Sequence, residues 1–333
     1  MAKAYRRFLM LVGAACVLTV GFAAALTRYA DPYWLSDART LREDSPALDV
    51  QMRLSKALQL ISRAWEVPLK VVLIGSSTVY RGLNPSALDY PAGAVYNLGI
   101  SSLRMQEAKA YVQHLLLFSR PEIVLIGLDF FQFDGRIQTQ AGFDPALGAF
   151  STAVEMYLTS VASRNSIDGS IRALRSTPDG DGPWSRDGYK KTVPRRAAEI
   201  TTQLDNATRL YRAMDTGLPA PYEHLQKIIA MLMEKGISIK MYLSPVHPRY
   251  LSAIRSAGKE SQYLEWKQRI RDIAASHALP LLEIDKVHRF ADAAFDGASG
   301  FNDPTHFSEW VGTMIMRSMG LSVRAVPEPE SRS

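Results

Sequence analysis

The chain has 333 residues, of which 47% are hydrophobic and 22% are charged, and these proportions are typical of a globular body with a sizeable core. That length accommodates one large domain, or one domain with a substantial insertion. The net charge of +6, from 39 basic and 33 acidic residues, is too diffuse to indicate nucleic acid, because basic residues nowhere alternate with aromatics as single-strand binding requires.

The N-terminal residues predict a membrane anchor. Lys3, Arg6 and Arg7 precede an uncharged apolar segment at 8–26, close to the roughly 20 residues that one helix needs to cross a bilayer. The basic cluster predicts a cytoplasmic N-terminus, so the chain would cross a bacterial inner membrane once and place its C-terminal body in the periplasm. A cleaved signal peptide is the alternative, since residues 23–25 are alanines, but the apolar run is longer than the usual signal core.

Cysteine and histidine usage predicts no metal or cofactor. Cys16 is the only cysteine and lies in the apolar segment, so the exported body has neither a disulfide nor a cysteine metal ligand. The six histidines show no metal-ligand spacing. Dinucleotide fingerprints and Walker phosphate loops are absent from the sequence.

Beyond the anchor (residues 1–30), strand and helix patterns alternate. Residues 31–66 are predicted to form a juxtamembrane linker and helix, 67–324 the main domain with an insertion at about 130–218, and 325–333 a loose tail. The hydrophobic patterns predict strands at 71–75, 94–97, 122–128, 237–244 and 279–284, and helices at 50–65, 104–119, 147–164, 195–213, 221–235, 262–277 and 307–319. This alternation predicts an α/β fold, a three-layer α/β/α arrangement with a mainly parallel sheet.

Two serines follow the first predicted strand. Residues 71–75 form a short, continuous apolar run, as a strand covered on both faces needs, and Ser76 and Ser77 come directly after it. Open α/β sheets bind ligands at the carboxyl ends of their strands, so a hydroxyl here is well placed for a nucleophile. Taken alone, the segment favours a plainer interpretation, a turn whose serines cap the next segment.

A second segment with candidate catalytic residues precedes the last predicted helix. Asp303 and His306 lie three residues apart around Pro304, which fixes the turn and lets both side chains face one site. In nucleophilic catalysis a histidine accepts the hydroxyl proton, and a carboxylate orients the imidazole and stabilises its charged form. Helix capping by Asp303 is the alternative, but an exposed serine elsewhere in the chain favours the catalytic interpretation.

Three segments together resemble the SGNH/GDSL hydrolase superfamily: Gly75-Ser76-Ser77, Asn97-Leu98-Gly99 and Asp303-Pro304-Thr305-His306. The resemblance covers roughly residues 67–130 and 220–320. It implies that Ser77 is the nucleophile, with Asp303 and His306 completing the triad. It also implies an oxyanion hole that contains the backbone N–H groups of Ser77 and Gly99.

The sequence departs from the superfamily pattern at two positions. Ser76 stands where the family usually has Asp, and Asp129 stands where it offers an Asn side chain to the oxyanion. An ionised carboxylate accepts hydrogen bonds and cannot donate them, and the loss of one oxyanion-hole donor costs about 100- to 1,000-fold in turnover. Hydrolysis is therefore expected to be slow, which favours an acyl relay to a positioned acceptor.

The anchor and the Gly-Ser-Ser segment resemble one branch of that superfamily, the proteins of alginate-type O-acetylation and teichoic-acid D-alanylation. This resemblance implies that Ser77 accepts an acyl group, most simply acetyl, supplied by a membrane-bound O-acyltransferase partner. The acceptor would be a hydroxyl of an extracytoplasmic polysaccharide. The basic residues Lys190, Lys191, Arg195 and Arg196 would suit an anionic glycan, although a solvated charged face is the plainer interpretation.

Several further residues are candidate substrate contacts because they lie in or near these segments: Ser76, Asn97, Asp129, His247, Arg81 and Arg104. His247 follows a predicted strand but lies between two prolines, which also suits a structural role. Two alternative functions stay open. One is an SGNH-type esterase that deacetylates glycans, and the other is an inactive SGNH-like scaffold that binds glycan or holds a membrane complex together.

Overall fold

The computed structural model describes residues 2–35, 47–175, 184–192, 197–284 and 300–324. In these ranges five parallel strands form one sheet in the order β2–β1–β3–β4–β5. The strands are β1 (Val71–Gly75), β2 (Val95–Gly99), β3 (Ile123–Leu128), β4 (Ser238–Leu243) and β5 (Leu281–Glu283). All five overlap the predicted strands, so the predicted parallel α/β fold is confirmed.

Helices surround this sheet and extend from it. They are α1 (Ala2–Ala30), α2 (Ala47–Arg63), α3 (Ser77–Gly82), α4 (Met105–Phe118), α5 (Phe150–Val161), α6 (Arg164–Arg175), α7 (Ala197–Ala213), α8 (Ala220–Glu234), α9 (Pro248–Ser256), α10 (Glu260–Ser276) and α11 (Glu309–Ser318). The predicted tail at 325–333 lies outside the described residues.

The alternation of side chains along the strands creates two hydrophobic cores, one on each face of the sheet. Val72 and Ile74 of β1 point into a large core with α2, α4, α8 and α10. Val71 and Leu73 point into a smaller core with α3 and α11. Because successive residues of a strand face opposite sides, an uninterrupted apolar run such as β1 is what two covered faces require. The three predicted layers are therefore present.

Three helices were not anticipated by the hydrophobic patterns: α3, α6 and α9. Helix α3 has six residues, too few for a helical period to be recognised. The predicted helix at 147–164 corresponds to α5, which ends at Val161, and α6 begins only at Arg164, where the predicted helix ends. Helix α9 begins with Pro248, which suits the first helical position because its missing N–H needs no partner there.

The predicted insertion follows β3 and is helical in its described part. Between Leu128 and Ala220 the described residues contain α5, α6 and α7, and their only extended pairing is a single bridge between Trp184 and Lys190. This insertion is part of the site, because α7 packs against α9 near the carboxyl ends of the strands.

Helix α1 is the one described helix that is long and apolar enough to cross a membrane. Most of its side chains are exposed, Cys16 among them, while Ala23, Thr27 and Ala30 near its C-terminal end are buried. Those last turns pack against α5 and α6.

Candidate active site

Ser77 lies where β1 passes into α3. Gly75 ends the strand, Ser76 is the N-cap of α3, and Ser77 is the first residue of the helix. The Ser76 hydroxyl accepts a hydrogen bond from the N–H of Thr78 at 3.3 Å. The Ser77 side chain is half-buried and lines a cavity at this edge of the sheet. Its N–H belongs to the first turn of the helix, where backbone donors have no intrahelical acceptor.

His306 joins Ser77 to a buried carboxylate. The Nε2 atom of His306 lies 2.9 Å from the Ser77 Oγ atom, and its Nδ1 atom lies 2.6 Å from Oδ2 of Asp303. Ser77 and His306 are in contact although they are 229 positions apart in the chain. With Nδ1 protonated toward the carboxylate, Nε2 is free to accept the Ser77 proton, which is the arrangement of a nucleophile, a general base and an orienting carboxylate.

Asp303 is fully buried and held by several donors. Its Oδ1 atom accepts hydrogen bonds from the backbone N–H groups of Thr305 at 2.9 Å and His306 at 3.0 Å. It also accepts from the Thr305 hydroxyl at 2.8 Å and the Gln203 amide at 3.0 Å. Burial alone raises the pKa of this carboxyl, but the charge of His306 and these donors outweigh burial and hold the pKa well below its usual value. Asp303 is therefore ionised and fixed in place.

Two glycines fix the distance between the serine and the histidine. A Cβ atom on Gly312 of α11 would lie 1.8 Å from the carbonyl oxygen of Gly82, the last residue of α3. A Cβ atom on Gly82 would lie 2.0 Å from the ring of Phe307. Helix α3 and the segment that carries His306 can therefore approach each other this closely only because neither position has a side chain.

Asp129 also lines the cavity and is surrounded by hydroxyl groups. The Ser76 hydroxyl donates to its Oδ2 atom at 2.5 Å and the Thr78 hydroxyl at 3.2 Å, and Ser244 contributes a further hydrogen bond. Burial raises the pKa of Asp129, and the hydroxyl groups and the charge of His306 only partly oppose this effect. The raised pKa favours a protonated carboxyl, which can donate a hydrogen bond where an ionised one cannot.

The cavity beside Ser77 has a volume of about 440 Å³. Its lining is mainly aromatic and aliphatic: Phe130, Phe131, Ile137, Leu210, Tyr211, Val246, Tyr250, Ile254, Tyr263 and Trp266. Ser77, Asp129 and Thr305 are among the polar groups of its wall, and Arg104 brings a cation. A few polar groups in an apolar hollow of this size are typical of a small-molecule site.

Arg104 is the one predicted substrate-contact cation that reaches the cavity. Its guanidinium donates to the carbonyl oxygen of Phe131, and with the Gln140 amide oxygen turned toward it, two further contacts of 3.0 and 3.1 Å form. Burial lowers its pKa, although Asp134 and Glu107 oppose the effect. Arg81, by contrast, is buried with its guanidinium 5.5 Å from the ring of Tyr80, and it does not line the cavity.

The segment Asn97-Leu98-Gly99 has a structural role in this conformation. Asn97 donates to the carbonyl oxygens of Val79 and Leu83 at 2.9 and 2.7 Å and so holds α3 against β2. Its Oδ1 atom accepts the N–H of Gly99 at 2.9 Å. The oxyanion role of Gly99 stays a prediction, and its N–H would have to leave Asn97 to fulfil it. Both amide N–H donors of Asn97 are used within the fold, and the side chain is fully buried.

His247 acts as a helix cap. Its Nδ1 atom accepts the N–H of Arg249 at 3.1 Å at the start of α9, and its ring packs edge-on against Phe301 with centroids 5.3 Å apart. The structural interpretation of this histidine therefore fits the contacts better than substrate binding.

The predicted basic cluster needs a correction. Lys190 is only 1% exposed, and its Nζ atom lies 5.6 Å from the ring centre of Trp184. It therefore offers no charge to a glycan, because packing against an aromatic side chain removes it from the surface. Lys191 is exposed, whereas Arg195 and Arg196 lie outside the described residues.

Sequence reasoning missed three residues of the site: Gln203, Thr78 and Ser244. Gln203 of α7 donates to Asp303 and, at 2.6 Å, to the Thr305 hydroxyl. Thr78 follows Ser77 directly, so its place in the first turn of α3 was a usable signal. Ser244 directly follows β4, and the rule that ligands bind at the carboxyl ends of parallel strands would have selected it. No local pattern marks Gln203.

Among the described residues, no group of three or more His, Cys, Asp or Glu side chains is arranged to hold a metal ion. The groups that surround Ser77 are instead a base, two carboxyls and hydroxyls. Their arrangement is suited to moving a proton and forming a serine ester.

Comparison with known proteins gives weak matches. No protein-family model matches the chain, and no curated protein matches it. A "putative acylhydrolase" from Bacteroides fragilis NCTC 9343 aligns over 78% of this chain and 91% of its own, with 9% identity and a TM-score of 0.37. The lipase/acylhydrolase from Enterococcus faecalis aligns over 78% and 100%, with 13% identity and a TM-score of 0.33.

Proposed function

We propose that this protein is a membrane-anchored, Ser-dependent O-acyltransferase of the SGNH type, which moves an acyl group, most simply acetyl, to an extracytoplasmic polysaccharide. The observation that carries the proposal is the connected array Ser77–His306–Asp303, with contacts of 2.9 and 2.6 Å. An accidental serine near a histidine would not have a buried, ionised carboxylate fixed by four hydrogen bonds behind it.

The first half of the reaction would acylate the serine. The Ser77 Oγ atom attacks the acyl carbonyl carbon of the donor, and His306 Nε2 takes the hydroxyl proton. The bond from the carbonyl carbon to the donor's leaving group then breaks, and the leaving group takes the proton from His306. Asp303 stabilises the charged imidazole throughout. The product is an ester on Ser77 and a neutral His306.

The second half would release the acyl group to the glycan. A glycan hydroxyl oxygen attacks the ester carbon while His306 Nε2 takes its proton. The bond between the ester carbon and Ser77 Oγ breaks, and the proton returns to that oxygen. Water is chemically competent in the same position, so the difference between transferase and esterase depends on which hydroxyl the cavity holds in place.

The cavity supports a positioned acceptor. Its volume of about 440 Å³ is larger than an acetyl group requires and lies within the usual size range of small-molecule sites. Aromatic rings such as Tyr211, Tyr250 and Trp266 present flat apolar surfaces on which the apolar face of a sugar ring can pack. Arg104 adds a cation for a carboxylated or otherwise anionic sugar.

The few oxyanion donors also support transfer over hydrolysis. The N–H of Ser77 is available, but Gly99 donates to Asn97 and Asp129 replaces the usual amide. A weak oxyanion hole slows attack by an unpositioned water, while a bound acceptor gains from orientation. Helix α1, as a single-pass anchor, would keep the body beside a membrane-bound O-acyltransferase that supplies the acyl group.

The test is to trap the acyl-serine. The full chain in detergent is incubated with p-nitrophenyl acetate, and the acetylated peptide is identified by mass spectrometry. We expect an acetyl group on Ser77 in the wild type and none in Ser77→Ala, while Ser252→Ala, which removes an exposed hydroxyl on α9, retains the label. Labelling that persists in Ser77→Ala would contradict the assignment of the nucleophile.

The esterase alternative is favoured by one observation: Ser77, Thr78 and Ser244 line the cavity, and their hydroxyl groups can hydrogen-bond water. The two functions are distinguished by following decay of the acetyl-serine with and without oligosaccharide. The transferase predicts that oligosaccharide accelerates the decay and becomes acetylated. Decay that is equally fast in buffer alone would favour the esterase, and a chain never labelled at Ser77 would favour the scaffold.

A further inference from the structure

Helix α5 exposes a row of large apolar side chains. Between 38% and 65% of the surface of each is accessible, and they are Phe150, Val154, Tyr157, Leu158 and Val161. In a helix of 3.6 residues per turn these five positions fall within an arc of about 100°. We call this surface the α5 face. Apolar side chains scattered singly are ordinary on a protein surface, but a contiguous row of them marks a binding surface.

The α5 face lies on a helix that contacts α1. The last turns of α1 pack against α5 and α6, and this packing buries Ala23, Thr27 and Ala30. The preceding turns of α1 expose large apolar side chains such as Val17, Leu18 and Phe22, each more than 70% accessible. Two helices in contact thus both present apolar side chains outward, close to the C-terminal end of the apolar segment of α1.

The charges that follow α5 are mainly basic. Helix α6 carries Arg164, Arg172 and Arg175, all exposed, and its single acidic residue, Asp168, lies 3.9 Å from Arg164. An apolar helical face with aromatic residues beside arginines is the composition of elements that lie in the interface of an anionic bilayer. Tyr157 suits the same depth, since aromatic side chains with a polar end prefer the headgroup region.

We infer that the α5 face binds the surface of the bilayer that α1 crosses, with its apolar side chains among the upper acyl chains and the α6 arginines among the headgroups. The inference rests on the proposed role of α1 as a membrane anchor. It adds a second attachment to the one that α1 supplies. A single helix alone would let the body rotate about its tether, whereas two attachments hold the Ser77 cavity in one orientation to the membrane.

The experiment measures the depth of single side chains in the full chain. The protein is reconstituted in nanodiscs of phosphatidylcholine and phosphatidylglycerol, with an environment-sensitive fluorophore on one cysteine. One version carries it on the native Cys16 in α1. Two others combine Cys16→Ser with Leu158→Cys on the α5 face or with Leu264→Cys on α10. Leu264 is a matched control, since it is 58% exposed and Leu158 is 65% exposed.

Brominated acyl chains provide the readout because they quench only fluorophores in contact with lipid. We expect the labels at 16 and 158 each to lose about half of their emission. The label at 158 should lie at the depth of an interfacial helix, roughly 5–10 Å into the headgroup and acyl boundary. The label at 264 should be unaffected. Quenching at 16 with none at 158 would overturn the inference, and no quenching at 16 would overturn the anchor and the inference together.

A protein partner on the α5 face gives a different result. A label at 158 that is shielded from aqueous iodide but insensitive to brominated lipid would indicate a second copy of the chain or a membrane protein, and would overturn lipid binding. The acetyl label on Ser77 is recorded in every variant. Its absence in the wild type would refute the proposed acyl transfer without changing the lipid readout, so the two failures are distinguishable.

Discussion

Two buried aspartates near Ser77 have opposite electrostatic environments. Asp303 accepts hydrogen bonds from two backbone N–H groups, an amide and a hydroxyl and lies beside the His306 imidazole, so its pKa is lowered despite burial. Asp129 is surrounded by neutral hydroxyl groups, and its burial raises the pKa. Environments that drive the pKa values of two acids apart assign them different roles.

The two aspartates also differ in the charge that would form beside each of them during the proposed reaction. In the proposed reaction, a positive imidazolium forms near Asp303, and ionised Asp303 stabilises it. Near Asp129, negative charge would develop on the acyl oxygen, and an ionised carboxylate there would oppose it. The raised pKa of Asp129 favours the neutral form and so weakens that opposition.

The largest expected effect is on the Asp303 side. We expect Asp303→Asn to slow acetylation of Ser77 by about 10⁴-fold, because the amide favours the wrong imidazole tautomer and leaves the imidazolium without a counter-charge. Stopped-flow release of p-nitrophenol measures the rate. Asp272→Asn, an exposed change on α10, should leave it unaltered, and a loss below tenfold at Asp303 would remove it from the triad.

The second expected effect is on the Asp129 side and has the opposite sign. We expect Asp129→Asn to accelerate acetylation, by up to about 100-fold, because the amide supplies a donor where the ionised acid supplies a charge. The ratio of variant to wild-type rate should grow as pH rises through the raised pKa of Asp129. The measurement is the pH profile of this ratio of acetylation rates.

Asp129→Ala separates the two parts of that effect, since it removes the charge and adds no donor. The alanine variant should fall between wild type and Asp129→Asn at high pH. A ratio that stays constant with pH would show that Asp129 does not titrate during acylation, and the contrast with Asp303 would then not affect catalysis.

A third, smaller effect concerns the support of Asp303. We expect Gln203→Leu to lower kcat about tenfold and leave KM unchanged, because a hydrogen bond to a charged group contributes roughly 1.5–3 kcal/mol and its loss loosens the carboxylate without touching the substrate. Steady-state kinetics separate the two constants. Gln268→Leu on the exposed face of α10 is the matched control, and an equal effect at both positions would deny Gln203 this role.

The smallest effects are on stability, and their signs differ. The pKa of Asp303 is lower in the native state, so its contribution is present above the unfolded pKa of about 3.9 and is lost as pH falls below it. The pKa of Asp129 is raised, so its contribution is present below about pH 3.9 and is lost as pH rises through the native pKa. Each tenfold difference in proton affinity corresponds to about 1.4 kcal/mol.

Denaturant unfolding of the full chain in detergent, followed by tryptophan fluorescence across pH, tests this contrast. Asp303→Asn should flatten the loss of unfolding free energy at acid pH. Asp129→Asn should flatten the loss above pH 4. Variants that change the slope in the same direction would contradict the opposite pKa directions of the two acids.

The sequence was sufficient to predict the parallel sheet and, within two residues, the positions where its strands end. Uninterrupted apolar runs such as Val71–Gly75 occur where both faces of a strand are covered, so the pattern and its cause are local. The contact of Ser77 with His306 was predicted only because two distant segments matched a known arrangement.

Other features depend on contacts that no local pattern records. Gln203 meets Asp303 across 100 positions of the chain, and Lys190 is buried because Trp184 packs over it. The Asn97 to Gly99 hydrogen bond was within reach of sequence reasoning, since asparagine side chains often bond the backbone two residues on. The family resemblance implies that the Gly99 N–H donates to an oxyanion, and this expectation hides its local hydrogen bond to Asn97.

The 229 positions between Ser77 and His306 have a consequence for the order of events in the cell. Synthesis proceeds from the N-terminus, so Ser77 is made long before Asp303 and His306. Until Gly312 of α11 packs against Gly82 of α3, Ser77 lacks the contact with His306. Under the proposed mechanism, the chain can therefore form an acyl ester only after nearly all of it has been made.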